Sequence, residues 1–481
     1  MKQMLVIIAL VSLCIPAWCL QDFYVDAVYG SDSTGTGAQL NPWQTITYAL
    51  SQVTGTQINP AIIHIAAGTY DANLGEMFPL EMEDYVSLSG ASSSTCIIDA
   101  DGASESVIEC IGADDISIGR LTITNGSGKN ISSVYYGGGF YISNSNPYIT
   151  NCEINENEAD YGGGIYFTGS QELEMMYVNF TGNTATTGSG GGIYFDGANA
   201  GDLTIEEVDF FENEAYILSG GAIYIEDGVD TAFLRGVGFL MSSATGNTNS
   251  VGGAIAAYCD NLIIDHCYFG YNSSYFGGGV YIDGEVEDYI IDTSVFFCNS
   301  AADQGGGLWD ESQYDNELFN CLFDNNMAIN EGGGIWTNGI VEIQNCTIAD
   351  NVSIGNTTGG LYVYDYGSES ITVKDSIIWS NTGGQIGGAG SISVTYSDVD
   401  GGYSGTGNIN SNPIFATGAP VDFYLSQTDA GQMEDSPCVD AGSNLASNIS
   451  GYRASLDELT TRTDLETDTG IVDMGYHSRV D

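Results

Sequence analysis

The sequence predicts an all-β protein built as a single-stranded parallel β-helix with irregular end caps. Two landmarks recur at one period, and no helical periodicity lies between them. The first landmark is a glycine-rich string followed by an apolar-aromatic-apolar triplet, as in "NEADYGGGIYFTG" at residues 157–169. The residue before each triplet is Gly139, Gly164, Gly192, Ala222, Ala254, Gly279, Gly307, Gly334 and Gly360, in steps of 25, 28, 30, 32, 25, 28, 27 and 26. The second has the form apolar-x-x-Asn: Ile154 to Asn157, Phe180 to Asn183, Phe210 to Asn213, Phe269 to Asn272, Phe296 to Asn299, Phe323 to Asn326, Ile348 to Asn351 and Ile378 to Asn381. One copy departs, with Ser242 three residues after Phe239. Two landmarks sharing one period are the signature of a repeat array.

Each unit carries two short alternating runs, such as "GIYF" and "MYVNF". Units of this kind bury their apolar positions only by coiling once per repeat, each rung about 4.8 Å above the last, in a rod of about 50–70 Å. The glycines then mark a corner that recurs in every rung, where a positive φ or a missing Cβ is needed. The Asn landmark marks a second corner, because Asn tolerates the left-handed region and can bond neighbouring amides in a ladder. Alternation points Ile165 and Phe167 inward and Tyr166 outward, and turns Cys346 and Ile348 inward.

Composition agrees. Gly is abundant at 65 of 481 residues with only 8 Pro, and there are 30 Tyr. Aromatic and β-branched residues with many turn formers suit short strands and tight turns. The chain has 63 Asp+Glu against 8 Lys+Arg, a net charge of −55. Such a surface repels nucleic acid, acidic lipid and acidic polysaccharide, and suits a neutral glycan, a cation or a surface protein partner.

Four segments follow. Residues 1–19 read as a signal peptide: Lys2 is the positive end, Met4 to Pro16 the apolar stretch, and Ala17-Trp18-Cys19 the cleavage site. Lipid attachment at Cys19 is the alternative, which Trp18 disfavours. Residues 20–130 form an N-terminal cap and first rungs, 131–400 the repeats, and 401–481 the last rungs and closing segment. No later apolar run is long enough for a transmembrane span, so the expected location is extracellular or the cell surface.

Nine cysteines follow the signal. Cys152, Cys267, Cys321 and Cys346 hold one repeat position, two before the landmark apolar residue, where other units have Val178, Val208 and Val237. The reading is a column of buried thiols, with a Cys321–Cys346 disulfide as the alternative. No CxxC pair suggests zinc. His64, His266 and His477 are scattered, His64 within a strand as a structural residue and His266 at the outward place that Asn151, Asn320 and Asn345 hold. No GxSxG accompanies them, so a Ser-His-Asp hydrolase is disfavoured. "DLETDTG" sets Asp464, Glu466 and Asp468 at alternate positions, an oxygen-rich loop for calcium.

The outward residue of the triplet is Tyr141, Tyr166, Tyr194, Tyr224, Ala256, Tyr281, Trp309, Trp336 and Tyr362. This external aromatic column either stacks on itself or offers a platform for sugars or protein, with Tyr281, Trp309, Trp336 and Tyr362 the candidate ligand-binding residues.

The strings "GGGIYF", "GGAIYI" and "VNFTGN" resemble the repeats of chlamydial polymorphic outer-membrane proteins, of the right-handed parallel β-helix or pectin-lyase-like superfamily, over roughly residues 131–385. The front, "FYVDAVYGSDSTGTGAQLNPWQTITYAL" and "IIHIAAGTYD", resembles the entry segment of secreted bacterial β-helix proteins, of a domain family of unknown function and of some polysaccharide lyases. The tail, with "GNINSNPIF", "DSPCVDAGS" and "DTGIVDMGYH", is similar to the closing segment of bacterial surface β-helix proteins. These likenesses imply a right-handed coil. They leave activity open, since the superfamily holds lyases, hydrolases, esterases and adhesins. Lyases of this fold use an Arg or Lys base with calcium. Here Lys129, Lys374, Arg120, Arg235, Arg453, Arg462 and Arg479 are far apart in sequence. No catalytic residue is therefore assigned. The expected role is a non-catalytic, adhesin-like or glycan-binding rod, with a carbohydrate-active enzyme and a structural spacer as alternatives. A close carboxylate pair in a groove would mark the enzyme, an uncovered aromatic column the binder, and a covered column with evenly spread acid the spacer.

Overall fold

The computed structural model describes residues 20–480 except 102, 197–200, 356, 368–369 and 419–421. The expected signal peptide, residues 1–19, lies outside the described residues. The rest is a parallel β-solenoid.

One rung shows the plan. Phe140–Ser143 is followed by Tyr148–Thr150, Glu153–Asn155 and Glu158–Ala159, and the chain then turns into Ile165–Thr168 above its starting strand. We number the four stacked sheets 1 to 4 in that order. Among the described residues they hold 12, 14, 13 and 8 strands. The sequence shows two strands per unit; the structure has four. Those of sheet 4 are two residues long, too short for alternation to register. A seven-residue helix, Ile46–Gln52, packs at the N-terminal end, with Thr45 accepting the Tyr48 amide.

The glycine corner divides its work. In "GGGIYF" Gly162 has φ 64°, which glycine adopts without strain. A Cβ on Gly163 would lie 2.5 Å from backbone atoms of Thr184 one rung up. The third position needs no positive φ, and although a Cβ on Gly164 would lie 2.6 Å from Gly192 O, two rungs shift enough to carry Ala222 and Ala254 there.

The Asn corner differs from the expectation. The left-handed residue is the one before the landmark Asn: Glu156, Glu212, Tyr271, Cys298 and Asn325 all have φ between 51° and 57°. The landmark asparagines are buried inside the coil and make the ladder. Asn272, Asn299, Asn326, Asn351 and Asn381 each pass a side-chain N–H to the next Oδ1 or, at the end, to Gln385. Each also donates to a carbonyl of the rung below, as Asn299 Nδ2 does to Phe269 at 2.8 Å. Beside this ladder Phe180, Phe210, Phe239, Phe269, Phe296 and Phe323 stack face to face, with centroids 4.4 to 5.1 Å apart.

Between sheets 2 and 3 the corner residue is left-handed in every rung from Arg120 onward, and His266 (φ 55°) stands there beside Asn151, Asn320 and Asn345 as the repeat alignment implied. The closing segment folds back along this corner. Asn320 exchanges hydrogen bonds with the His477 backbone, Thr347 Oγ1 accepts from Tyr476 N, and Ser443 donates to Asp375. Phe319 is buried against Ala446, Ile449 and Leu456 of that segment.

Candidate functional site

The aromatic column points away from the core, as alternation requires, but it is not uncovered. Tyr281 and Trp336 are only 5% and 4% exposed, while Trp309 and Tyr362 are half-buried. Adjacent rings stack on one another, Tyr141–Tyr166 at 5.8 Å, Tyr166–Tyr194 at 5.4 Å and Tyr194–Tyr224 at 4.9 Å. Ala256 breaks the column, and Tyr258 fills the gap between Tyr224 and Tyr281. Phe276 lies over Trp309 with centroids 4.1 Å apart. Tyr281 and Trp309 thus sit in a second apolar cluster outside the coil, Trp336 is covered by Trp309 and Tyr364, and Tyr362 remains half-buried. Open rings occur where the column ends: Tyr364 packs on Trp336 at 5.7 Å and Tyr366 on Tyr364 at 5.5 Å, and both are exposed.

A row of carboxylates runs beside the rings, two residues after Tyr194, Tyr224, Tyr281 and Trp309: Asp196, Glu226, Asp283 and Glu311. Tyr166 donates to Asp196 at 2.9 Å, and Tyr194 donates to Glu226. The Tyr281 hydroxyl lies 2.7 Å from Asp283 and 2.8 Å from Glu311. A hydroxyl has one proton, so both contacts are satisfied when one carboxyl is itself protonated. Burial raises Glu311, with the facing Asp283 adding to the effect.

A second set of carboxylates lies in an open groove of about 570 Å³ on the outer face of sheet 2. Four neighbouring strands form its floor: Asp288–Asp292, Asp315–Phe319, Ile340–Gln344 and Ser370–Lys374. Asp288, Asp315, Glu317 and Glu342 line it with Ile290, Asn316, Ile340, Gln344 and Thr372, and no basic residue joins them. Glu317 and Glu342 are register partners. Like charges directly opposite in a sheet repel. Burial, then Asp292, Glu342 and Asp288, raise the Glu317 carboxyl above its ordinary range. Glu342 is exposed. The pair therefore differs in environment, one half-buried acid beside one solvated carboxylate. Repeat alignment could have set Glu317 opposite Glu342, but with 63 acidic residues nothing in the sequence separates that pair from chance ones.

The loop carboxylates part company. Asp464 forms a two-pronged ion pair with Arg462 at 2.6 and 2.9 Å. Asp468 is buried against His477 Nε2 at 2.9 Å, and Glu466 is exposed. Among the described residues no group of three or more His, Cys, Asp and Glu side chains is arranged to hold a metal ion. The nine cysteines are free thiols, eight of them buried. Their column doubles as a row of acceptors: Cys267 N donates to Ser294 Oγ, Cys321 N to Cys346 Sγ and Cys346 N to Ser376 Oγ. Each histidine sits on an aspartate, His64 on Asp22, His266 on Asp265 and His477 on Asp468. His64 is not a core residue; its ring faces outward from sheet 2, half-exposed.

By fold, the protein is a parallel β-helix. Residues 28–247 match a family described as a protein of unknown function, DUF1565. Residues 320–338 match the Chlamydia polymorphic membrane protein repeat, a stretch holding the ladder residue Asn326 and the ring Trp336. No curated protein matches. Similar solved structures include a carrot pectin methylesterase at 10% identity, covering 77% of this chain and 87% of that one with a TM-score of 0.26. Pectate lyase Pel9A, at 13% identity, covers 94% and 96% with a TM-score of 0.33. The A-module of an Azotobacter vinelandii mannuronan C-5 epimerase, at 12% identity, covers 75% and 93% with a TM-score of 0.38.

Proposed function

We propose that the protein is an exported, glycan-active β-helix protein that hydrolyses an uncharged polysaccharide in the acidic groove of sheet 2. The observation that carries the reading is the Glu317–Glu342 pair, in register on adjacent strands and unlike in environment. Strand spacing of about 4.8 Å sets the two near the separation of about 5–5.5 Å that retaining glycosidases use. Glu317, holding its proton more tightly, donates it to the glycosidic oxygen as the bond to the anomeric carbon breaks. Glu342 attacks that carbon, and water, deprotonated by Glu317, releases the sugar and restores both carboxyls. The net charge of −55 supports an uncharged substrate, because a polyanion is repelled along the rod.

A second reading rests on a separate observation, the exposed rings of Tyr364 and Tyr366 at the end of the aromatic column. They favour non-catalytic glycan binding, the adhesin-like role. One experiment separates the two. The purified chain is incubated with neutral and acidic polysaccharides, with and without calcium, and released oligosaccharides are sought by mass spectrometry. Hydrolysis predicts product from a neutral glycan, with retained anomeric configuration, lost in both Glu317→Gln and Glu342→Gln. No product from any glycan refutes it. Retention on a glycan column that Tyr366→Ala abolishes would then establish the binding role.

A further inference from the structure

The N-terminal rungs carry a separate pocket of about 380 Å³ at the corner of sheets 2 and 3, within the size range of small-molecule sites, about 300–1,000 Å³. Its floor comes from one outward row across sheet 2. Tyr24 is in register with His64, His64 with Ser89, and Ser89 with Gly119. Side chains shrink along this row, so a hollow opens beyond His64. The Tyr24 and His64 rings stack at 4.9 Å and wall one side. Ala66, Ala91 and Arg120 form the corner side, and Gln39 and Pro42 of the 26–43 loop form the roof.

The roof is held in place. Asp26 N donates to Trp43 O and Trp43 N to Tyr24 O, while Asp32 accepts the amides of Gln44 and Thr45 at 2.7 and 3.1 Å. The pocket is therefore preformed.

The pocket is lined by one of the chain's few cations, Arg120. Lys129, Arg235 and Arg462 each have a carboxylate within 4.0 Å. Arg120, like Lys374, Arg453 and Arg479, has none among the described residues, and of these four it is the one that lines this pocket. One carboxylate, Asp26, lines the pocket and a second, Asp22, lies beside it. Asp22 holds His64 Nε2 at 2.7 Å, and Asp26 turns Oδ1 onto the amides of Val28 and Tyr29 at 2.8 and 2.9 Å. Arg120, exposed and without a carboxylate partner, lines the pocket together with His64 and Ser89, and a guanidinium's forked donors match the geometry of an oxyanion.

We propose that this pocket binds a small oxyanion, a carboxylate or a phosphate, through Arg120, with His64 and Ser89 beside it. The site is independent of the acidic groove. Ligand-observed NMR titrations of the full chain test it, using succinate, inorganic phosphate and glycerol at about 0.15 M salt, where the long-range field of the rod is screened beyond about 8 Å. Succinate or phosphate is expected to bind with a dissociation constant of about 1 mM or tighter, and glycerol not at all. The better of the two anions names the ligand's chemistry. Arg120→Asn is expected to weaken binding about tenfold, since asparagine keeps the left-handed corner (φ 59°) while removing the charge. Glu342→Gln, in the groove, should leave the affinity unchanged. Absence of binding by both anions, or equal binding by a folded Arg120→Asn, overturns the proposal without touching the glycan reading.

Discussion

Removing Asn299 from the ladder isolates what the internal amides contribute. In the native coil the Asn299 Oδ1 accepts both the Asn272 backbone N–H, at 3.1 Å, and the Asn272 side chain, at 2.9 Å. Its Nδ2 donates to Phe269 O at 2.8 Å and to Asn326 Oδ1 at 2.9 Å. Asn299→Ala deletes these four bonds but leaves the backbone bond from Asn299 N to Asn326. One backbone N–H, one side-chain N–H and one carbonyl are then buried without partners. At about 1–3 kcal/mol for each group so orphaned, with partial relaxation, the cost is about 3–6 kcal/mol. The chain carries its own comparison. Ser242 interrupts the ladder, its hydroxyl is buried without a partner, and the facing residue is Ala222 rather than glycine. Ser242→Asn is expected to restore the bonds and stabilise by about 1–2 kcal/mol, because Ala254 stands in the same place beside the intact ladder residue Asn272. Asn179→Ala on the outer surface is the control, within about 0.5 kcal/mol. A solenoid of this length does not unfold in one step, so native-state hydrogen exchange read by mass spectrometry is the assay, rung by rung. Faster exchange should centre on the rungs of Asn272 and Asn326. If Asn299→Ala exchanges like Asn179→Ala, the ladder argument is wrong.

Other outcomes follow from buried groups. Burial pushes the Asp310 carboxyl up to about 7, against the bonds from Thr337 Oγ1 and Ser312 N that lower it. A raised carboxyl stabilises fully below its unfolded value and loses that contribution as pH rises through 7. The span of about three units corresponds to roughly 4 kcal/mol, so Asp310→Asn should flatten stability between pH 4 and 8 relative to the native chain by about that much. Melting curves at several pH values check this, and Asp324 and Asp473, also raised, cancel in the comparison. Tyr281→Phe removes the hydroxyl between Asp283 and Glu311 and should destabilise by about 1–3 kcal/mol, read from melting curves. Maleimide labelling of the folded chain should reach Cys298, the one incompletely buried thiol, and spare the other eight until denaturant is added. Labelling of Cys321 or Cys346 without denaturant would show that the corner opens.

The repeat landmarks alone determined the coil, because each reports a constraint met once per rung. Gly162 must take a positive φ and Gly163 must stay clear of Thr184, and both demands recur at eight of the nine glycine corners, the last having Thr358 in the first place. The inward thiols and the ladder were legible for the same reason, as columns at one repeat position. Local sequence could not show which residue of the Asn corner turns left-handed, since Glu156, Met241 and Tyr271 carry no turn signature and are held there by the rungs on either side. Solvent exposure was equally out of reach. Alternation points Tyr281 and Trp336 outward, but Tyr258 beside Tyr281, and Trp309 and Tyr364 beside Trp336, decide that they are covered. The groove and the N-terminal pocket depend on which strands stack and on what the intervening loops overhang. Glu317 meets Glu342 across 25 residues, and Arg120 meets His64 across 56, because the coil returns to the same place on each turn. Period is written in the chain; burial, charge pairing and cavity shape arise only when successive turns lie on one another.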